Sequence, residues 1–241
     1  MKFLSVLAIA AMLVLASCGR DRTEGNDAPP IPKPDALPTT VTAAPAPAPS
    51  PVPPPQVNGP KLMPVDEAKK DPTFLSFRER LLDAVRRHDA EAVVAAADPK
   101  IRTSFGEGGG AEALRQMLRQ PQVWTDLEQI LTLGGSFQEQ SFWAPYVYSA
   151  WPESQDAFTF VAVIAENVPL RQSPTGAAIA TLAYDIVQRA GDPHDGWQEV
   201  KLADGRTGFV EAKFIRSPIA YRAGFNKEGD RWRMTAFVSG D

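Results

Sequence analysis

The sequence has one cysteine, Cys18, in 241 residues, so no internal disulfide can form and no pair of thiols can hold a metal. With no cysteine after Cys18, a cysteine peptidase is excluded. Histidines are nearly as scarce: His88 lies at a charged helix end, and His194 lies in the turn Asp192-Pro193-His194-Asp195. Neither has a helix-spaced histidine partner or a nucleophile motif beside it, which a zinc site or a hydrolytic triad requires. There is no basic surplus either. A net charge of −4 offers no field for phosphates and excludes nucleic acid as a partner. No apolar run reaches the ~20 residues that a membrane-spanning helix needs, since the longest, Phe3 to Ala16, is about 14. The glycine cluster from Gly106 to Gly110 lacks the Lys-Ser/Thr ending of a phosphate loop. Asp126 and Glu128, two apart on a helix, point in different directions and make no acid/base pair. The expectation is a protein that is not an enzyme and uses no cofactor or metal.

Proline, by contrast, is abundant, with 23 residues. The amino terminus carries Lys2, the short apolar run, then the small residues Ala16 and Ser17, the layout of an export signal. Leu15-Ala16-Ser17-Cys18 resembles the lipobox of bacterial lipoproteins. That resemblance implies cleavage before Cys18, diacylation of its thiol and acylation of the new amino terminus. Each buried CH2 of such chains adds about 0.8 kcal/mol, so two or three chains give stable membrane anchoring. Gly19 after the cysteine, by the same resemblance, implies the periplasmic face of the outer membrane. From Pro29 to Pro60, 13 of 32 residues are proline. Each removes a donor and fixes φ, so the segment is expected to be an extended, disordered tether with an upper reach of about 100 Å.

After Val65 the pattern becomes helical. Asp71-Pro72 supplies a cap and a first helical position, and Phe74, Phe77, Leu81, Ala84 and Val85 repeat at helical spacing towards His88-Asp89. A short helix is expected over Ala90 to Ala97, ended by Pro99, then a strand over Ile101 to Phe105. Two further helices follow, one with Leu114, Met117 and Leu118 on a face and one with Trp124, Leu127, Ile130 and Leu131.

From Phe158 the signal turns to short strands: Phe160 to Ile164, Ile179 to Leu182, Ile186 to Gln188, Trp197 to Leu202 and Gly208 to Val210, with Asp204-Gly205 as a hairpin turn. The run Glu166-Asn167-Val168-Pro169-Leu170-Arg171-Gln172-Ser173-Pro174, then Gly196-Trp197, then Val200 through Gly208-Phe209-Val210, resembles the bacterial SH3 pattern. Pro169, Ser173 and Phe209 depart from its usual Asn, Gly and Trp. The resemblance covers Phe158 to Ile215 and implies a small β-barrel. If Trp197 to Leu202 is a regular strand, Trp197 falls on the face opposite Val200 and Leu202 and is partly exposed. A bulge there would instead turn Trp197 into the core.

Beyond the barrel, Tyr221, Ala223 and Phe225 alternate, as do Trp232, Met234, Ala236 and Val238, across a turn at Asn226 to Asp230. Two strands alone are marginal in water, so this hairpin is expected to pair with material from Phe137 to Tyr148 and to pack on the amino-terminal helices. The helix-helix-strand opening and the Trp-rich closing hairpin also resemble an NTF2-like cone. The expected fold is therefore α+β. It divides into a signal (1–17), a tether (18–65), a helical α+β domain (66–157), an inserted SH3-like barrel (158–217) and a hairpin completing the helical domain (218–241).

The function expected is that of a non-catalytic, lipid-anchored envelope protein whose SH3-like module binds peptidoglycan or a periplasmic protein. Tyr184, Trp197 and Phe209 are the candidates for its binding face, because aromatic side chains give large contact area with few torsions to freeze. The alternative is that the barrel is structural and the cone-like domain binds a small molecule in a pocket of Trp143, Tyr146 and Trp232. A wall hydrolase, built from distant carboxylates that converge, is the third possibility.

Overall fold

The computed structural model describes residue 55, residues 57–106 and residues 108–240; the segment expected as an export signal, Cys18 and most of the segment expected as a tether lie outside them. Helix α1 (Pro72–Arg86) begins as its sequence dictates: the Asp71 carboxylate accepts from the backbone N–H groups of Thr73 and Phe74 at 2.7 and 3.0 Å. Asp89 caps α2 (Ala90–Ala96) in the same way, accepting from Ala92 N–H at 3.0 Å. Strand β1 (Ala97–Arg102) starts four residues earlier than the sequence pattern indicates. Pro99 ends the helix as expected, but the extended backbone it favours is used as a strand, with Ala97 and Ile101 buried and the residues around Pro99 outward.

Helices α3 (Gly110–Met117) and α4 (Pro121–Thr132) follow, then β2 (Ser136–Gln138), β3 (Ser141–Ala144) and the short α5 (Tyr146–Ser149). The next strands are β4 (Phe160–Val163), β5 (Val168–Arg171), β6 (Ala178–Leu182), β7 (Ile186–Arg189), β8 (Trp197–Lys201), β9 (Thr207–Glu211) and β10 (Ile215–Arg216). The chain closes with β11 (Arg222–Glu228) and β12 (Arg231–Val238).

These strands form two sheets, one in the order β1-β12-β11-β3-β2 and one in the order β10-β4-β7-β8-β9-β5-β6. The fold is thus α+β, and the strands of the second sheet lie in sequence between β3 and β11 of the first. The closing hairpin pairs where its alternation pointed: Ala223 faces Ala144 and Phe225 faces Phe142 across β11 and β3. A parallel pairing of β1 with β12 was not legible in the pattern.

Helices and the first sheet meet in an aromatic core. The Phe74 ring lies 4.2 Å from that of Phe142, 4.9 Å from Trp232 and 5.5 Å from Phe225, centroid to centroid. Phe74, Phe142 and Phe225 are fully buried, each stabilising the fold by about 1.5–3 kcal/mol. These rings fill the space between the helices and the first sheet.

The second sheet has its own core of Val161, Val163, Val168, Leu170, Leu182, Val187, Val200, Leu202 and Val210. The small β-barrel expected over this region is not closed: β10 and β6 stand at the two edges of the strand order, and no strand pairing joins them. Part of the segment expected as tether lies along this sheet instead. Thr181 N–H donates to Pro55 C=O at 3.1 Å, Ile186 N–H to Pro60 C=O at 2.8 Å, and Leu62 N–H to Tyr184 C=O at 2.8 Å. Val57 joins the core of the second sheet, and Leu62 packs with Tyr146, Val147, Ala162 and Ile186 where the two sheets' segments meet.

Candidate binding sites

Strands β8 and β9 present the first site. Regular alternation holds in β8: Gln198 and Val200 are buried while Trp197 and Glu199 are half-buried on the other face. Trp197 therefore stands outside the core, the partly exposed arrangement of the two that the sequence left open. Glu199 faces Phe209 and Trp197 faces Glu211 across the ladder, so Trp197 and Phe209 are diagonal neighbours on one face. Together with Pro174, Ala190, Asp192, His194 and Asp195, they line a shallow groove of about 330 Å3.

The loop over this groove is pinned at several points. His194 and Trp197 exchange two backbone hydrogen bonds of 2.9 Å around Asp195 and Gly196, both at positive φ, as a tight hairpin turn requires. Ala190 N–H donates to Glu199 C=O at 2.9 Å, and the buried Gln198 amide donates to Gly191 C=O at 2.9 Å. Two of the three aromatic residues proposed from sequence thus meet in one groove. The third, Tyr184, lies elsewhere: its backbone at φ 57° links Leu62 and Ala165. The Asp195-Gly196 dipeptide immediately before Trp197 was the overlooked sign that a tight turn would fold acidic residues back over the tryptophan.

A second and larger opening runs along α1, α2 and the start of β12. This groove, of about 1100 Å3, has Phe77, Leu81, Ala84, Ala92, Ala96 and Trp232 among its apolar lining. Arg80, Arg87, Arg231 and Arg233 stand around it, against two carboxylates, Asp83 and Asp230. Arg233 pairs with Glu228 at 3.4 Å, which leaves three arginines against two carboxylates, a surplus of one positive charge on a chain whose net charge is −4. Arg80 on α1 and Arg87, its C-cap with helical backbone, are seven apart, a spacing that puts both on one face. Sequence reasoning passed over it because it weighed only the apolar stripe.

The alternative pocket residues do not converge. Trp232 belongs to the aromatic core, with its indole N–H donating to Thr73 Oγ1 at 3.1 Å, and only its edge reaches the arginine-lined groove. Trp143 follows Phe142 on the opposite face of β3, lying against Gly224, where a Cβ would meet its ring at 2.8 Å. Its ring is 5.4 Å from Tyr148. Tyr146 is fully buried beside Leu62 and Ile186, and its hydroxyl has no partner among the described residues. Burial, with Tyr184 nearby, pushes that hydroxyl up to about 12.

Of the histidines, His88 stacks on Trp124 with ring centroids 4.8 Å apart, and His194 is exposed, its Nδ1 3.0 Å from Asp195. The Glu128 carboxylate accepts from Arg86 at 2.9 Å, while Asp126 is near Arg216. Among the described residues no cluster of three or more histidine, cysteine or acidic side chains is placed to hold a metal.

No protein-family model matches the chain, and no curated protein does. Solved structures similar to it include an NTF2-like protein of unknown function from Shewanella oneidensis MR-1, 14% identical, covering 70% of this chain and 97% of that one, with a TM-score of 0.27. Another is an NTF2-like protein of unknown function from Pseudomonas putida KT2440, 11% identical, covering 72% and 87%, with a TM-score of 0.25. The structural neighbours are NTF2-like proteins.

Proposed function

We propose that this chain is a non-catalytic binding protein of the cell envelope, anchored by lipid on Cys18, whose helix-and-sheet unit takes an elongated anionic ligand with an apolar body. The observation that carries this reading is the arginine-lined groove, the larger of the two openings described. Its apolar floor suits a hydrocarbon body, and Arg80, Arg87 and Arg231, which pair with no carboxylate among the described residues, suit a carboxylate or phosphate head, Arg233 being held by Glu228 at 3.4 Å. The ligand would lie along α1 rather than between the helices and the first sheet, where the phenylalanines pack. A long-chain carboxylate and the neutral alcohol of the same length make the test, read by tryptophan fluorescence with Trp232→Phe as control. The carboxylate should bind the more tightly, and Arg80→Gln with Arg231→Gln should weaken it about tenfold per lost charged contact. Equal binding of the alcohol would end this reading. Anchoring is tested separately: Cys18→Ser should release the chain from the membrane fraction.

A second reading is favoured by the convergence of Trp197 and Phe209. In it the second sheet is an SH3-like module, inserted in the first domain, that binds peptidoglycan or a periplasmic protein. Co-sedimentation of the soluble chain with purified sacculi separates the two. Loss in Trp197→Ala alone supports the inserted module, whereas loss in the arginine variants alone places wall binding in the helical unit.

A further inference from the structure

The groove on the second sheet combines two features that select the same ligand. Trp197 and Phe209 offer half-buried aromatic faces, and Glu199, directly across from Phe209 and two residues from Trp197, adjoins both. Asp192 and Asp195 come in from the pinned loop. Among the described residues no cation pairs with Asp192 or Glu199, while Asp195 has only His194 beside it at 3.0 Å. Glu211, across from Trp197, is already engaged by Lys213. Lys201, on the same face of β8, stands opposite Thr207 and lies outside the groove.

Aromatic faces attract cations through their quadrupole, and carboxylates attract them by charge. Both repel phosphate. We infer that this groove binds an alkylammonium group, the side-chain amine of a lysine or another diamino acid in a peptide. The inference rests on the second reading above, that the inserted sheet carries a peptide-binding site, and it names the chemistry that site recognises. An ammonium is a compact charge with three donors, which three carboxylates from different directions can share. A guanidinium is larger and holds its five donors in one plane, so it suits carboxylates lying in that plane, as Arg115 does between Glu91 and Glu112, better than carboxylates that converge from several directions. The methylene stem of the amine covers the rings, and the volume of about 330 Å3 admits a side chain rather than a folded partner domain.

The test uses a short neutral-backbone peptide with one free lysine, its Nε-acetylated form and its norleucine analogue. Binding to the soluble chain is read by NMR at the tryptophan indole N–H signals, of which there are five. Trp197→Phe assigns the relevant one. The lysine peptide should shift the Trp197 signal, and the acetylated and norleucine peptides should bind at least about tenfold more weakly, the factor expected for one charged contact. Glu199→Gln and Asp192→Asn should each weaken lysine binding several-fold while leaving the other indole signals in place, which reports an intact fold. Trp197→Phe should keep most of the affinity that Trp197→Ala loses. Equal affinity for the free and acetylated amines overturns the inference, as does lysine binding that leaves Trp197 unshifted or no binding at all. Sacculi that still sediment the parent, but not Trp197→Ala, after acetylation of their amines would also overturn it, while the peptide-binding reading of the module would stand.

Discussion

The Arg78 guanidinium donates two parallel hydrogen bonds to the Asp66 carboxylate, at 2.7 and 2.8 Å, tying the segment that enters the folded unit to the flank of α1. Burial pulls Asp66 upward, but the Arg78 hydrogen bonds, the Ala68 N–H and the charges of Arg78 and Lys69 outweigh it and hold the carboxyl below its ordinary 3.8. A carboxyl depressed in the folded state contributes stability above its unfolded value and loses it as pH falls through the folded one. The Asp66 side chain is 39% exposed, so screening limits the gain. Asp66→Asn should cost about 1 kcal/mol at neutral pH by urea unfolding. The gap between parent and variant should close as the pH drops below 3.8.

The residues just before Asp66 are structural as well. Val57 and Leu62 are each 5% exposed, and the Lys61 ammonium lies 2.9 Å from Asp185, a carboxylate that is 1% exposed. A chain beginning at Asp66 gives up both apolar contacts and strands that carboxylate. It should unfold roughly 3–6 kcal/mol more easily than one beginning at Pro51, a large part of a typical domain's stability. Leu62→Ala alone should cost about 2–4 kcal/mol. Coincident urea midpoints for the two chain lengths would show that this packing contributes nothing.

That segment also marks where sequence reasoning stopped short. Proline content argues against helix and sheet ladders, yet a proline carbonyl still accepts, and Pro55 and Pro60 take hydrogen bonds from Thr181 and Ile186. Local signals were legible: the Asp71-Pro72 start of α1, the alternation of β11 and β12, and the side of β8 on which Trp197 stands. Long-range pairings were not, because nothing in β1 announces a parallel partner 137 residues away at Met234. Tyr184 was misplaced for a similar reason. Its left-handed backbone bonds to Leu62 and Ala165, and it does not line the groove of Trp197 and Phe209.

Trp197 and Phe142 differ in burial, and that difference makes the binding tests interpretable. Trp197 is half-buried on an outer face, whereas Phe142 is fully buried against Phe74 and Phe225. Trp197→Ala should shift stability by only about 1 kcal/mol, while Phe142→Ala should cost about 3–5 kcal/mol through the cavity it leaves. Thermal unfolding of both variants checks this. A Trp197→Ala loss as large as that of Phe142→Ala would make the tryptophan part of the core.

Arg216 joins the last strand of the second sheet to α4 of the helical unit. It is 4% exposed and donates to the Gln129 side-chain oxygen and to Tyr221 C=O, while its Nε has no partner among the described residues. Burial pulls the guanidinium down to about 10, with the charge of Asp126 opposing, so it remains a cation at neutral pH. Burial likewise raises Asp126 above 3.8, against the charge of Arg216 and a hydrogen bond from Gln122. For a carboxyl raised in the folded state, ionisation costs stability above its folded value, and the cost is relieved as pH falls through that value. Arg216→Met keeps the volume but removes the Gln129 and Tyr221 hydrogen bonds and the positive charge near the half-buried Asp126, and should cost about 2–3 kcal/mol at neutral pH. Acidification should shrink the deficit by protonating Asp126, and Asp126→Asn in the same chain should recover part of it at neutral pH. Urea unfolding at two pH values, run as a double-mutant cycle, measures both effects. A deficit unchanged by pH and by Asp126→Asn would assign the cost to the lost Gln129 and Tyr221 hydrogen bonds, making this joint a neutral latch instead of an ionic one.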